Sequence, residues 1–376
     1  MIPFNKPHLT GKEAHYIFKA VYDNGHISGN GEFTKKCQAF FESRYGFRKT
    51  LLTTSCTDAL EMAALLIDLQ PGDEVIMPSY TFVSTANAFI LRGAKIVFAD
   101  SEKNTPNIDA DKIEALITPK TKAIIPVHYA GMACDMDKIM SLAKKYNLFV
   151  IEDTAQGIES TYNGKQLGGI GHLGAFSFHE TKNIQSGEGG LLVVNDERFV
   201  KRAEIIWEKG TNRAEFFRGE VDKYGWVDVG SSFLASDMIA AFLLAQLENL
   251  EKIQNKRIDI WNTYYDNLSE MEKNGKIQIP KIPEYASNNA HMFYVLCESL
   301  EERTKLIAHM KKNAINPVFH YLPLHESEFY KNKNTNNNIS EALRYSDTLL
   351  RLPLFYDLKQ DEQQKIIKTF FEFYNG

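Results

Sequence analysis

The chain has 376 residues, 44% of them apolar and 24% charged, with a formal net charge of −5. That length accommodates a large core and a smaller second one, in a composition ordinary for a globular chain. A mildly acidic balance without a basic stripe or tail excludes a nucleic-acid scaffold, and no apolar run approaches a membrane span.

Met1-Ile-Pro-Phe-Asn-Lys6 lacks an apolar h-region, so no secretory leader is expected. Cys37, Cys56, Cys134 and Cys297 show no metal-ligand spacing, which fits reduced thiols in a cytoplasmic setting. The Asn-x-Ser matches at Asn267 and Asn338 are then chance matches. An anionic substrate would need a local cluster of donors, because the net charge supplies none.

Leu51-Leu-Thr-Thr-Ser-Cys-Thr57 sets small hydroxyl residues between a short strand and a helix over Asp58–Leu69. Free N–H groups at such a helix start suit a phosphate. Asp73–Pro78, Ala94–Asp100, Ala123–His128 and Leu148–Glu152 read as apolar strands. Val83–Leu91 and Asp135–Tyr146 carry apolar positions at helical spacing between them. Apolar strands alternating with amphipathic helices predict a mostly parallel sheet covered on both faces. Phe82, in Pro78-Ser-Tyr-Thr-Phe82, is an aromatic at a strand end that could stack on a flat ligand.

Gly169-Ile-Gly171-His-Leu-Gly174 has the spacing of a dinucleotide-binding loop. That fingerprint needs a strand before it and a helix after it. Here a polar stretch precedes and the strand Ala175–Phe178 follows, so it reads as a turn into a strand. A further strand, Gly189–Asn195, leads into the charged stretch Glu197–Glu208. A long helix with a Ser-Asp cap is expected over Ser236–Leu268, bridging from a large domain (1–250) to a smaller C-terminal one (251–376). The C-terminal part mixes helices with a strand near His291–Leu296, and Lys331–Asn338 reads as an exposed loop.

Two segments carry the chemistry. Asp153 ends an apolar strand in Val150-Ile-Glu-Asp153-Thr-Ala-Gln156, and Lys182 lies between an apolar strand and a glycine turn in Ser177-Phe-His-Glu-Thr-Lys182-Asn. A lysine so held can form a Schiff base with an aldehyde, and a buried aspartate can keep a pyridine nitrogen protonated. Pyridoxal 5′-phosphate (PLP) requires these two protein groups.

In this order, with Ile27-Ser-Gly29-Asn-Gly31, Pro126-Val-His-Tyr-Ala-Gly131, Val229-Gly-Ser-Ser232, His320-Tyr-Leu-Pro-Leu-His325 and Leu352-Pro-Leu-Phe355, the segments resemble the PLP-dependent sugar-nucleotide aminotransferases over nearly the whole chain. The resemblance implies an α/β fold-type-I PLP-dependent transferase, with a mostly parallel mixed sheet in the large domain and a smaller C-terminal α+β domain. It assigns Lys182 as the Schiff-base lysine, Asp153 as the partner of the pyridine nitrogen, Gln156 beside the 3-oxygen and Phe82 against the ring. Cys56, Thr57 and Ser177 match the phosphate cradle, and Ser232 reaches a neighbouring subunit's phosphate. Many family members carry asparagine at that last place, and a serine hydroxyl donates at shorter reach.

The resemblance further implies L-glutamate as amino donor, a dTDP-4-keto-6-deoxy sugar as acceptor, and a homodimer with shared active sites. Arg213 and Arg218, in the cationic run Lys209–Lys223, are candidates for the sugar diphosphate. His320, Tyr321 and His325 are candidates for the sugar pocket. Amination of another nucleotide keto-sugar, giving the gluco epimer or a C3 amine, is the alternative. A related sugar dehydratase would carry histidine where Lys182 stands, which argues against it.

Overall fold

A computed structural model describes residues 1–333 and 339–375. The strands are β1 (Lys49–Thr53), β2 (Glu74–Pro78), β3 (Lys95–Ala99), β4 (Thr121–Ile124), β5 (Phe149–Asp153), β6 (Thr161–Tyr162), β7 (Lys165–Gln166), β8 (Leu173–Ser177), β9 (Gly190–Val194), β10 (Phe293–Leu296), β11 (Val318–Phe319) and β12 (Leu349–Leu352). The helices are α1 (Glu13–Phe18), α2 (Glu32–Tyr45), α3 (Cys56–Leu66), α4 (Val83–Ile90), α5 (Ala110–Ile113), α6 (Met136–Tyr146), α7 (Glu197–Trp207), α8 (Arg213–Phe217), α9 (Asp237–Leu247), α10 (Leu250–Lys273), α11 (Leu300–Lys312), α12 (Ser340–Thr348) and α13 (Gln360–Asn375). Among these residues no helix is long and apolar enough to cross a membrane.

Seven strands form one sheet in the order β1-β9-β8-β5-β4-β2-β3, in which β9 alone runs against the others. The register gathers the chemistry at one edge. Gly190, at the start of β9, pairs with Thr53 on one side and Ser177 on the other, and Asp153 pairs with Ala175. An L-residue at 190 would put its Cβ 2.2 Å from the Ser55 carbonyl carbon, so glycine lets the β1–α3 turn lie against the sheet. A smaller sheet, β10-β12-β11, has its own apolar cluster on α10, α11 and α13, including Tyr264, Phe293 and Leu306. The expected boundary at 250/251 falls at the first residue of α10.

Two expectations shift for local reasons. The strand expected over Ala123–His128 ends at Ile124, since Pro126 has no N–H for the ladder. The long helix expected over Ser236–Leu268 is two helices. Ser236 caps the first, accepting from Ile239 N, and Asn249 ends it by donating Nδ2 back to the Ala245 carbonyl. The charged stretch Glu197–Glu208 is mostly helix α7, capped by Asp196, which buries Phe199, Ala203, Ile206 and Trp207 on one face. Of Lys331–Asn338, the first three residues are an exposed turn and 334–338 lie outside the described residues.

The glycine-rich Gly168–Gly174 segment is indeed a turn into β8, and it holds a carboxylate. Buried Glu152 accepts from the N–H groups of Gly168 (2.8 Å), Ile170 (2.7 Å) and Gly171 (2.6 Å). His128 Nε2 lies 3.0 Å away as a fourth donor, its tautomer set by Cys134 N–H on Nδ1. The residue before Asp153 is thus fixed by four contacts.

Asn289, fully buried, ties three site loops together. Its Nδ2 donates to the carbonyls of Gln156 (2.7 Å) and Ile158 (2.8 Å), and its own carbonyl accepts from Asn183 Nδ2 (2.8 Å) and Gln254 Nε2. Its side-chain oxygen sits where a Cβ on Gly131 would fall, 2.1 Å away. The Gly131 loop and the loop after β5 are therefore set by the Asn289 side chain, and the Lys182–Asn183 turn by the main-chain carbonyl of the same residue. Asn289→Ala leaves two buried carbonyls without donors and should cost about 2–4 kcal/mol, measured by urea unfolding. Wild-type stability would contradict the role given to that amide.

The loop after β5 is also pinned from outside. Arg44 on α2 grips Glu159 with Nε and Nη2, both at 2.8 Å, and the Tyr45 hydroxyl donates to the same carboxylate. Burial alone would raise the Glu159 carboxyl, and the Arg44 fork with Tyr45 outweighs it and holds it below its usual value. Glu159→Gln should cost about 1–2 kcal/mol near neutral pH. A lowered folded pKa gives stability that is present above the unfolded value of about 4.3 and is lost as pH falls through the folded one. Unfolding of both proteins from about pH 7 to well below about pH 4 should show the gap holding down to about pH 5 and closing only as pH falls further; a gap that stays constant through that lower range would contradict the assignment.

Candidate active site

The C-terminal ends of β1, β2, β5 and β8 open onto one cavity of about 760 Å³, where ligands lie in open parallel sheets. Lys182 is the sole lysine and Arg351 the sole arginine among the described residues lining it. Asp153, 5% exposed, is held by the Thr85 hydroxyl (2.7 Å) and the Ala155 N–H (3.1 Å), so its carboxylate cannot swing away.

Lys182 lies in a turn closed by its N–H on the His179 carbonyl (2.9 Å). Burial pushes its amine below the usual lysine range, opposed by Cys56 and Asp153 and helped by the positive charge of Arg351. Asn183 anchors the turn from behind, its Oδ1 accepting from His291 Nδ1 (2.9 Å). Burial, then the Lys182 charge, keeps His291 neutral, far below its ordinary pKa.

The start of α3 forms the cavity floor. Ser55 caps the helix through its hydroxyl, accepting from Asp58 N–H (3.0 Å), and the first intrahelical bond runs from Ala59 N to Ser55 O. The N–H groups of Cys56 and Thr57 lie ahead of it without intrahelical partners. Ser177 lines the cavity beside them. Phe82, the N-cap of α4, is 56% exposed on the cavity wall. Gln156 is oriented at both ends, its Oε1 accepting from Ala130 N (2.6 Å) and its Nε2 donating to the Tyr321 hydroxyl (3.2 Å).

His320 and Tyr321 stack on each other at 3.5 Å and both line the cavity. Tyr129 bonds His320 Nδ1 at 2.7 Å, and burial, then Arg351, hold that imidazole neutral. His325, by contrast, turns away to Ser79 (2.6 Å). The structure does not bring Arg213, Arg218 or Ser232 into this cavity. Arg218 pairs with Glu204 and Glu220, Arg213 lies over the Phe217 ring, and Ser232 is exposed beside the Glu208 bridge. Sequence reasoning missed Arg351, Phe4 and His291. The only local signal was Arg351 between leucines in Leu349-Leu-Arg-Leu352.

The residues present suit PLP. Unpaired helix-start N–H groups and a serine hydroxyl fit a phosphate, a fixed carboxylate fits a pyridinium, an exposed ring fits its face, and a lysine of lowered basicity fits its aldehyde. The Gly190 contact keeps the phosphate end from being filled by side chain.

Residues 9–371 match the model of the DegT/DnrJ/EryC1/StrS aminotransferase family. The GDP-perosamine synthase of Escherichia coli O157:H7 is 34% identical over 377 residues, covering 100% of this chain and 99% of that one. The spore coat polysaccharide biosynthesis protein SpsC of Bacillus subtilis strain 168 is 32% identical, over 98% of this chain and 96% of its own. The structure of Spr1654 from Streptococcus pneumoniae in its PLP form superposes with a TM-score of 0.90 at 28% identity, covering 100% of this chain and 98% of that one. With the parallel sheet and the lysine cavity described above, the chain belongs to the DegT/DnrJ/EryC1/StrS aminotransferases, PLP-dependent sugar transaminases of the α/β fold-type-I architecture.

Proposed function

We propose that the chain moves the amino group of L-glutamate to the C4 ketone of dTDP-4-keto-6-deoxy-D-glucose, giving dTDP-4-amino-4,6-dideoxy-D-galactose and 2-oxoglutarate. This is the transaminase type that serves enterobacterial common antigen synthesis, and it implies a cytoplasmic setting. The observation that carries the aminotransfer is a single cavity lysine of lowered basicity beside a buried, doubly held carboxylate. The choice of sugar is supported by the ordered segments from Ile27 to Phe355, including Gly230-Ser-Ser232 and Asn289-Ala-His291.

Bound PLP supplies the electron sink that lets an amine leave an amino acid and enter a ketone. Asp153 keeps a positive charge on the ring nitrogen, because a buried opposite charge favours the charged form. Lys182 takes the proton from the donor's α-carbon and later delivers one to the sugar carbon. Cys56 and Thr57 N–H with Ser177 hold the phosphate, Phe82 covers the ring, and Gln156 faces the 3-oxygen. His320 and Tyr321 line the sugar end.

Ser232 acts in the cavity of a second copy of this chain, in a homodimer. Support comes from its exposed position after a stretch, from the end of α8 onward, that also exposes Phe217, Trp226 and Val229. The sugar diphosphate falls to Arg213, which has no ion pair among the described residues, rather than to Arg218, which two carboxylates already neutralise. The division into 1–250 and 251–376 belongs to the same reading.

A GDP-linked 4-keto sugar is the second reading, favoured by the full-length match to a GDP-perosamine synthase. Both are tested by incubating the PLP-loaded protein with L-glutamate and a panel of dTDP- and GDP-linked keto-sugars. Turnover of dTDP-4-keto-6-deoxy-D-glucose is expected, with a small H3–H4 proton coupling in the product because an axial amine makes H4 equatorial. A large coupling would mean the gluco epimer, and turnover of GDP-linked sugars alone would replace the first reading by the second.

A further inference from the structure

The neighbours of His291 decide which of its ring nitrogens carries the proton. Asn183 Nδ2 donates to the Asn289 main-chain carbonyl (2.8 Å) and to Gln254 Oε1 (3.0 Å). A main-chain carbonyl only accepts, so Asn183 Oδ1 is the end that meets His291 Nδ1 at 2.9 Å, and the proton of that bond belongs to the ring. A neutral imidazole with Nδ1–H carries a lone pair on Nε2. The main chain around the ring is clamped as well. His291 N–H donates to Asn289 Oδ1 (3.0 Å), and the buried guanidinium of Arg257 donates to the carbonyls of His291 (2.7 Å) and Ala290 (3.2 Å).

His291 grips the residue next to Lys182 and lines the same cavity as Lys182. There Lys182 Nζ is a donor and His291 Nε2 an acceptor, and neither has a hydrogen-bond partner among the described residues. A buried donor without an acceptor is costly, and the four-carbon lysine stem is flexible enough to change partners.

We infer that His291 is a positioning residue whose Nε2 receives the Lys182 amine whenever that amine is not bonded to the cofactor. This rests on the role given to Lys182 above. The other groups facing the amine are poorer receivers. On β5, Asp153 is held by Thr85 and Ala155. On α3, burial keeps the Cys56 thiol protonated, and on β12 the charge of Arg351 repels an ammonium. His320 spends Nδ1 on the Tyr129 hydroxyl, and His179 lies between Thr181 and Glu188. Lys182 is also the strongest charge acting on the His291 ring, ahead of Arg257 and Arg351. An amine held on this lone pair stays beside the carbon whose proton it takes instead of turning to the cavity mouth.

The test uses the full chain loaded with pyridoxamine 5′-phosphate, the amino form of the cofactor, which leaves Lys182 free. Acetic anhydride labelling of Lys182 across pH, read by peptide mass spectrometry, gives the midpoint of its titration. Two substitutions separate the ring nitrogens. His291→Asn keeps a donor for Asn183 and removes the acceptor at the Nε2 position, whereas His291→Gln places an acceptor there and gives up the Asn183 bond. An acceptor favours the ammonium form, so the midpoint should fall by about 1 pH unit in His291→Asn and stay within about 0.3 unit of wild type in His291→Gln. An unmoved midpoint in His291→Asn overturns the inference. An equal fall in both variants does so too, since it would make the ring a mere support for the turn. Where one variant does not fold, nitrogen NMR of isotope-labelled histidine in the wild type decides, with the ring identified from the other variant. The Nε2 resonance should be unprotonated and should move when PLP is exchanged for its amino form; a proton on Nε2, or the same resonance in both forms, overturns the inference. A wild-type protein that shows no visible band with PLP overturns the role of Lys182 and the proposed function with it, while a normal band with an unmoved His291→Asn midpoint overturns this inference alone.

Discussion

One buried asparagine, through its side-chain amide and its main-chain carbonyl, sets the geometry on which the site depends. The catalytic edge of the sheet is made of strand-to-helix connections, whose backbone groups have no ladder partners and would otherwise be mobile. Asn289 meets that need from the other part of the chain, supplying two donors to the loop after β5 and one carbonyl to the Lys182–Asn183 turn. It presses against Gly131, where no side chain fits. Gln156 in turn orients Ala130 and Tyr321, so the wall facing Asp153 is built outward from the same contact. Glu152, held by the turn of Gly168–Gly171, fixes the adjacent strand end by the same means.

The cavity collects groups that folding disfavours. Lys182 and Arg351 are both depressed by burial, Asp153 is a buried carboxylate, and Phe82 exposes a large apolar ring. Such a cluster is sustained by apolar packing elsewhere, under the large sheet through Leu60, Phe89 and Phe98, and around the small sheet through Tyr264 and Phe293. Site geometry therefore trades against stability, and ligands that supply the missing anions stabilise the fold by mass action.

Much of this was legible in the sequence because it rests on short-range signals. Apolar runs bounded by Pro, Gly and Asp gave away β2, β3, β5, β8 and β9, and the side chains at or just beyond the ends of β2, β5 and β8 included Phe82, Asp153, Gln156 and Lys182. The break between α9 and α10 was hidden because Asn249 stops the helix through a side-chain bond back to Ala245, a choice that propensity alone does not reveal. Arg351 was hidden for a different reason: an arginine between strand leucines reads as a solvent-facing residue until the fold shows which face is covered. Arg218 misled in the opposite sense, since its partners Glu204 and Glu220 are identified only once α7 and α8 are placed together. Asn289 is one amide in a loop, and its partners lie more than a hundred residues away in the loop after β5.

The claim at the centre is that one lysine, Lys182, holds the cofactor through its amine. Borohydride reduction of the PLP-loaded protein, followed by peptide mapping, reads this directly. One pyridoxyl adduct per chain on Lys182 is the expected result. An adduct on another lysine, or none on a protein that carries PLP, would contradict it.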